Sequence, residues 1–415
     1  MKRIAIIDGI RTPMGKMGGE LSRVQADNLA AHVIKEVLLK AEFDKSLIDE
    51  VILGNVAGPA HAMNIARVAA LKAGIAKHIP AFTVHRNCAS GMEAVTNAGD
   101  KIRAGDGEIF IAAGAESMSN IPFLFNDAGK QFFMNLAMAK TTQMKLKALL
   151  GFKPSLFKPK IGLELGLSDI ISGMNMGQTA EVLAKEYHIT RREQDEFAAW
   201  SHNKAEAARD KMKDEIVPIV ANLRTGKVAS TDEGIRLGQT PEALAKLKPY
   251  FDRKHGTVTA GNSSQITDGA AALIVTSEER AKALGLKPLG YVTQWAYAGL
   301  DPHRMGMGPV YATKALLKKT GGNLKDFELI EINEAFAAQV IACERGFVQE
   351  NLGTIDRSIL NVNGGAIALG HPVGMTGARI IITLLKELRR QNKNTGLATL
   401  CIGGGQGAAC MLEIE

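Results

Sequence analysis

The sequence predicts an α/β protein of two related halves, the first carrying a long insertion. Three observations predict it. Strand-like and helix-like segments alternate through residues 1–119, the βαβ patterning of a buried sheet. The C-terminal third repeats that plan, with 34–40 and 47–55 resembling 313–319 and 326–333. Between them the character of the chain changes near residue 120, and strand and glycine signals return from Phe251. The boundaries that follow are 1–119 plus 253–287 for the first half, 120–252 for the insertion and 288–415 for the second half.

Within the first half, 4–7 reads as a strand. Leu29, Val33, Ile34, Val37 and Leu38 recur at helical spacing and predict a helix over 27–41. Segments 50–54 and 108–113 read as further strands, and 64–73 and 89–102 as further helices. Phe82 and Val84 form a short β run that breaks into a turn at Arg86-Asn87, just before the small residues Ala89, Gly91 and Ala94. An equivalent strand, turn and helix recurs around 360–390.

The insertion begins with an unusual stretch. Between Ala128 and Leu163 there are seven lysines and no acid, interleaved with Phe132, Phe133, Leu136, Met138, Met144, Leu146, Leu149 and Leu150. Phe152-Lys-Pro and Phe157-Lys-Pro forbid a continuous helix. Such a segment can lie on an anionic membrane or grip a partner; equally, it can pack on its own protein with its lysines solvated. Helices are expected over 181–187 and 191–213, the second opened by Thr190 and Glu193 as a capping box. Residues 216–252 read as turns.

Composition narrows the function. A net charge of +7 invites a polyanionic partner, but aromatic content is 5% and no nucleic-acid motif is present, so no nucleic acid is expected. A phosphate-bearing small molecule or an anionic membrane surface suits the charge. Residues 1–8 are too short in apolar content for a signal peptide, and no window reaches the length of a spanning helix. The four cysteines form no Cys-x-x-Cys pair and no zinc spacing. Reduced thiols in a cytoplasmic setting, and no metal, are expected.

Four segments have the composition of an active site. They are Asn87-Cys88-Ala-Ser-Gly91; Asn333-Glu-Ala-Phe336 after an apolar strand; the glycine-rich 364–374 containing His371; and 401–407, where Cys401 ends a strand in glycines. Cys88 falls at a helix start, where unpaired N–H groups and the macrodipole are expected to lower a thiol pKa. Taken alone, Cys88 is also consistent with a small core residue, and Cys401 with a buried strand-end thiol. The glycine runs match neither the P-loop nor the dinucleotide pattern. Together the pieces describe Claisen-type acyl chemistry. Cys88 is the nucleophile, His371 its base, backbone N–H groups at Cys88 and Gly403 the oxyanion donors, and Cys401 a proton shuttle to a carbanion.

These residues resemble the thiolase family over essentially the whole chain. The matches stand in the family's order: Cys-Ala-Ser-Gly at 88–91, Gly256-Thr-Val-Thr-Ala-Gly-Asn-Ser-Ser264 leading to Asp268-Gly-Ala-Ala-Ala272, Asn333-Glu-Ala-Phe, Gly370-His-Pro-Val-Gly-Met-Thr-Gly377 and Cys401-Ile-Gly-Gly-Gly-Gln-Gly407. The resemblance implies a thiolase-like fold of two pseudo-symmetric βαβαβαββ halves, with Cys88, His371, Cys401, Asn333 and Gly403 catalytic. Asn333 would hold a water that shares the enolate oxygen with His371. Ser264, Ala260, Met176, Ala335 and Phe336 would line the path of the substrate. Coenzyme A is implied as a co-substrate, with no permanently bound cofactor.

Within the family, the long insertion looks most like the β-subunit of the fatty-acid oxidation complex. That implies cleavage of 3-ketoacyl-CoA in β-oxidation, a homodimer or homotetramer, a hydratase/dehydrogenase α-subunit as partner, and peripheral membrane contact through 128–163. Asn333 departs from that branch, which often has His there. Asn is the commoner pattern of other thiolases, including acetoacetyl-CoA thiolases that condense two acetyl-CoA.

Overall fold

A computed structural model describes residues 2–415. The chain forms two compact units, one built from the chain up to Asn120 together with Asp169–Glu415, the other from Ile121–Ser168. The insertion expected over 120–252 is thus divided: its first part stands as a unit, and 169–252 folds into the larger one.

The larger unit holds a 10-stranded sheet. Its order is Leu329–Ile332, Thr395–Ile402, Gln406–Glu413, Gly290–Gly299, Ile4–Arg11, Thr267–Ser277, Ile109–Ser117, Glu50–Gly54 and Ala81–Val84, with the short Gly15–Lys16 strand beside Thr267–Ser277. The two halves meet where Ile4 pairs antiparallel with Val292. From that seam outward, both halves use the same sequence of directions. Ile4–Arg11 is followed by two antiparallel and then two parallel pairings. Gly290–Gly299 is followed by two antiparallel pairings, a parallel one, and a parallel bridge from Ile330 to Leu360. The internal repeat in the sequence is therefore a repeat of topology.

Each half also supplies a helix that follows its outermost strand. Ser90–Ala104 follows Ala81–Val84, and Thr376–Gln391 follows the Leu360 bridge. Every residue from Thr376 to Leu388 is buried, as expected of a helix packed on all sides. Met92, Ala94 and Val95 share one core with Ile380, Ile381 and Ile382. The two helices meet backbone to backbone. A Cβ on Gly91 would stand 2.8 Å from the Ala378 nitrogen and 2.9 Å from the Gly374 oxygen, and one on Gly377 would strike the Met92 nitrogen. Only glycine permits this approach.

Most sequence-predicted elements form with shifted ends. The helix expected at 27–41 runs Ala26–Lys40, that at 64–73 runs Ile65–Lys72 with Asn64 as its cap, and the strand at 108–113 extends to Ser117. The Thr190/Glu193 capping box forms, and its helix ends at Ala208. The helix expected at 181–187 starts earlier, at Met176, because Asn175 and Gln178 make a second capping box.

In the smaller unit, helices Asp127–Met138 and Thr142–Leu149 are capped by Asn126 and Thr141. The two Phe-Lys-Pro sequences do end helical structure, in a 3₁₀ turn and in a strand that pairs with Phe123–Phe125. Phe125, Phe132, Phe133, Phe152 and Phe157 make a contiguous ring cluster. Large apolar side chains remain in solvent, including Phe123, Leu146 and Leu150 at 71, 63 and 82% exposure.

The helix crossing carries a stability prediction. A glycine-to-alanine change inside an unobstructed helix stabilises by about 1 kcal/mol. Gly91→Ala and Gly377→Ala should instead each destabilise by about 1–3 kcal/mol through overpacking. Denaturant midpoints of the folded variants read the sign, and a stabilised variant contradicts the crossing.

Candidate active site

The Cys88 turn is built by its own backbone and side chains. After Ala81–Val84, Asn87 takes φ 43°, the left-handed region that asparagine tolerates better than most residues. Ser90 Oγ accepts from the Arg86 N–H at 2.9 Å and donates to the Asn87 carbonyl at 2.7 Å. Cys88, half-buried, stands two residues before the first helical residue, Ser90. The sequence expectation was a lowered thiol pKa. The structure corrects it: burial pushes the Cys88 thiol up, and the N–H groups of Gly403 and Cys88 itself offset this only in part. Desolvation of the thiolate outweighs the helix start. Those two N–H groups are the pair named from sequence as oxyanion donors, and both bear on the sulfur.

His371 is set by a glycine turn and a threonine. Gly370 adopts φ 112°, and the His371 N–H donates to the Gln265 carbonyl at 3.3 Å. Thr376 Oγ1 donates to the Pro372 carbonyl at 3.0 Å and lies 2.6 Å from His371 Nδ1. Its single proton being used, the hydroxyl accepts from Nδ1–H, which leaves Nε2 with a free lone pair. Burial, reinforced by the Arg379 charge, pulls the imidazole down to about 3. His371 is therefore neutral, with Nε2 unprotonated and able to accept a hydrogen bond or a proton. Asn333 Nδ2 lies 3.5 Å from that nitrogen, while the buried Asn333 Oδ1 has no hydrogen-bond partner, an arrangement suited to holding a water.

Cys401 is 1% exposed at the end of Thr395–Ile402. Burial first, then the Cys88 and Cys343 sulfurs, raise its thiol well above the ordinary value. The adjoining turn is tied to the Cys88 turn, as Asn87 Nδ2 donates to the Gly403 carbonyl at 2.7 Å. Met176 packs over Gly403, its Sδ 3.1 Å from where a Cβ would stand. The Ser264 N–H donates to the Ala335 carbonyl at 2.9 Å. Phe336 stacks edge-on against Phe251 at 5.9 Å, and Ala260 is exposed on the loop leading to Ser264. Three groupings thus form: Cys88 with Gly403, Cys401 and Met176; Asn333 with His371; and Ser264 with Ala335 and Phe336. The Gly91/Gly377 crossing links the first two.

Sequence reasoning missed the residues that hold these groups. Glu116 is fully buried and accepts from the Val56, Ala57 and Gly374 N–H groups and from Asn55 Nδ2. It fastens the loop after His371 to the first half. Burial lifts its carboxyl to about 7 despite these donors. Glu334, next to Asn333, accepts from Ser201 Oγ, Asn361 Nδ2 and the Ile367 N–H, and its carboxylate occupies the space a Gly365 side chain would need. An acid inside an otherwise apolar strand end was the available signal for Glu116; for Glu334 it was its place in the Asn333-Glu-Ala-Phe336 segment.

The site offers a nucleophilic thiol, a neutral imidazole base, a second thiol of high proton affinity and two backbone donors. Residues 4–279 match the model of the thiolase N-terminal domain, and 286–414 that of the thiolase C-terminal domain. The chain is 44% identical over 417 residues to the acetyl-CoA acetyltransferase of Cupriavidus necator, covering 100% of both chains. It is 41% identical to a probable acetyl-CoA acyltransferase of Staphylococcus epidermidis, covering 100% of this chain and 99% of that one. Among solved structures, Bacillus anthracis acetyl-CoA acetyltransferase superposes with a TM-score of 0.89 at 39% identity, covering 100 and 99% of the two chains. Human mitochondrial 3-ketoacyl-CoA thiolase in complex with CoA does so with 0.88 at 36%, covering 100 and 98%. With both domains matched in order across a chain of this fold, the protein belongs to the thiolase family and is an acyltransferase.

Proposed function

We propose that this thiolase is an acetoacetyl-CoA thiolase, an acetyl-CoA C-acetyltransferase that joins two acetyl-CoA and, in reverse, cleaves acetoacetyl-CoA with coenzyme A. The observation that carries it is Asn333 beside His371 Nε2, the commoner pattern of thiolases outside the fatty-acid oxidation β-subunit branch, acetoacetyl-CoA thiolases among them. The names of the relatives point the same way.

In the first half-reaction Cys88 Sγ attacks the thioester carbonyl as His371 Nε2 takes the thiol proton. The oxyanion is held by the Cys88 and Gly403 N–H groups. Coenzyme A leaves as a thiol, taking its proton from Cys401, which becomes a thiolate. In the second, the Cys401 thiolate removes a proton from the methyl carbon of a new acetyl-CoA. The enolate oxygen rests on His371, now an imidazolium, and on a water held by Asn333. The carbanion attacks the acetyl-Cys88 carbonyl, the Cys88 thiolate leaves, and its proton returns from His371. A buried, strongly basic thiolate suits the hardest step, carbon deprotonation.

Cleavage of longer 3-ketoacyl-CoA in β-oxidation is the second reading. The 121–168 unit and the likeness to human mitochondrial 3-ketoacyl-CoA thiolase favour it. The exposed apolar groups and acid-free lysine run of that unit suit peripheral contact with an anionic bilayer or a hydratase/dehydrogenase subunit, and the chain as a whole suits a homodimer or homotetramer.

Thiolytic kcat/KM across 3-ketoacyl-CoAs of increasing length separates the two. We expect the highest value for acetoacetyl-CoA and a steep fall beyond it; a flat or rising series favours β-oxidation. Sedimentation with anionic and with neutral vesicles tests the lysine run. Binding is expected to anionic vesicles only and to weaken with salt, and equal binding to both contradicts an electrostatic contact.

A further inference from the structure

The turn that carries Cys88 and the turn that carries Gly403 come from different halves of the chain, 316 positions apart. Two side chains from the first grip the second. Asn87 Nδ2 donates to the Gly403 carbonyl at 2.7 Å, and Arg86 Nη1 reaches Gln406 Oε1 at 3.4 Å. The turn, in which Gly404 and Gly405 adopt φ 87° and 78°, is closed by the Ile402–Gln406 strand pair and by the Leu300 N–H, which donates to the Gly405 carbonyl at 2.8 Å; at Gly403 the Asn87 amide adds a hold from the other half. Asn87 is itself fixed. Its φ is 43°, its carbonyl accepts from Ser90 Oγ, and its neighbour Arg86 is ion-paired to Glu93 and stacked over Tyr297 at 4.1 Å. The same Gly403 supplies an N–H to the Cys88 sulfur.

We propose that Asn87 is a positioning residue for acyl transfer, its side-chain amide locking Gly403 so that the Gly403 N–H stays aimed at Cys88 and at the oxyanion that forms there. The proposal rests on the thiolase reaction assigned above. An oxyanion donor acts only if it is held before the charge develops, and while the strand pair and Leu300 hold the far side of the turn, Asn87 holds the Gly403 peptide. Asparagine meets two demands at once: it tolerates the left-handed backbone of the turn, and its amide donates across the interface between halves. Glycine at this position meets only the first, and aspartate replaces the donor by an acceptor that faces the Gly403 carbonyl.

Two reactions of Cys88 distinguish positioning from mere structural support. Acetyl transfer from acetyl-CoA passes through an oxyanion, whereas alkylation by iodoacetamide does not. In Asn87→Gly and Asn87→Asp, the rate of Cys88 acetylation should fall by about tenfold or more, short of the 10²–10³ for deleting a donor outright. KM for acetyl-CoA should change little, and the alkylation rate should fall far less than acetylation. Arg86→Gln keeps the Asn87 amide and should lose less acetylation than either variant. Acetylation equal to the parent in both Asn87 variants overturns the proposal, as does a parallel fall in both reactions. Failure of the parent protein itself to acetylate Cys88 would overturn the thiolase reaction along with it.

Discussion

The close crossing of two helix starts at Gly91 and Gly377 underlies the whole arrangement. Each glycine lies three to six residues beyond a chemical group, Cys88 in one half and His371 in the other. Because backbone meets backbone there, no side chain separates the two helix starts that follow Cys88 and His371. The pseudo-symmetric sheet explains how two distant parts of the chain find this contact. Each half ends its parallel strands in a turn and a helix, and the two halves are joined where Ile4 pairs with Val292. Glu116 then fastens the His371 loop to the first half, and Asn87 fastens the Gly403 turn to the nucleophile.

Burial dominates the electrostatics of the site. Both thiols are pushed up and the imidazole down, so the resting site stores no thiolate–imidazolium pair. In the proposed reaction charge arises only when substrate arrives, and the groups assigned to receive it are already oriented: Nε2 through Thr376, and the Gly403 peptide through Asn87. A thiol that is a poor acid at rest becomes a strong base once deprotonated, which is the property the role proposed for Cys401 requires.

Much of this was legible before the fold was known. Cys88, His371 and Cys401 stood out because glycines and polar residues interrupt apolar strands there, and the internal repeat announced two halves. Other features needed three dimensions. The helix start at Cys88 suggested a lowered thiol pKa, because sequence shows the N–H groups but not the desolvation that outweighs them. The holding roles of Glu116 and Glu334 are not readable from the sequence, since their donors lie on segments far away in it. Asn87 was visible as a turn residue, but its reach to Gly403 spans the two halves. The insertion was read as a single block to residue 252, whereas only 121–168 forms its own unit; composition marked where it began and gave no comparable signal at its end.

The claim at the centre is that Cys88 carries the acyl group and Cys401 acts after it. Peptide mass mapping after incubation with acetyl-CoA tests this directly. Acetyl should appear on Cys88 in the parent, be absent from Cys88→Ser, and persist on Cys88 in Cys401→Ala when a second acetyl-CoA is supplied. An unmodified Cys88 in the parent, or acetyl found on Cys401 instead, would contradict the account.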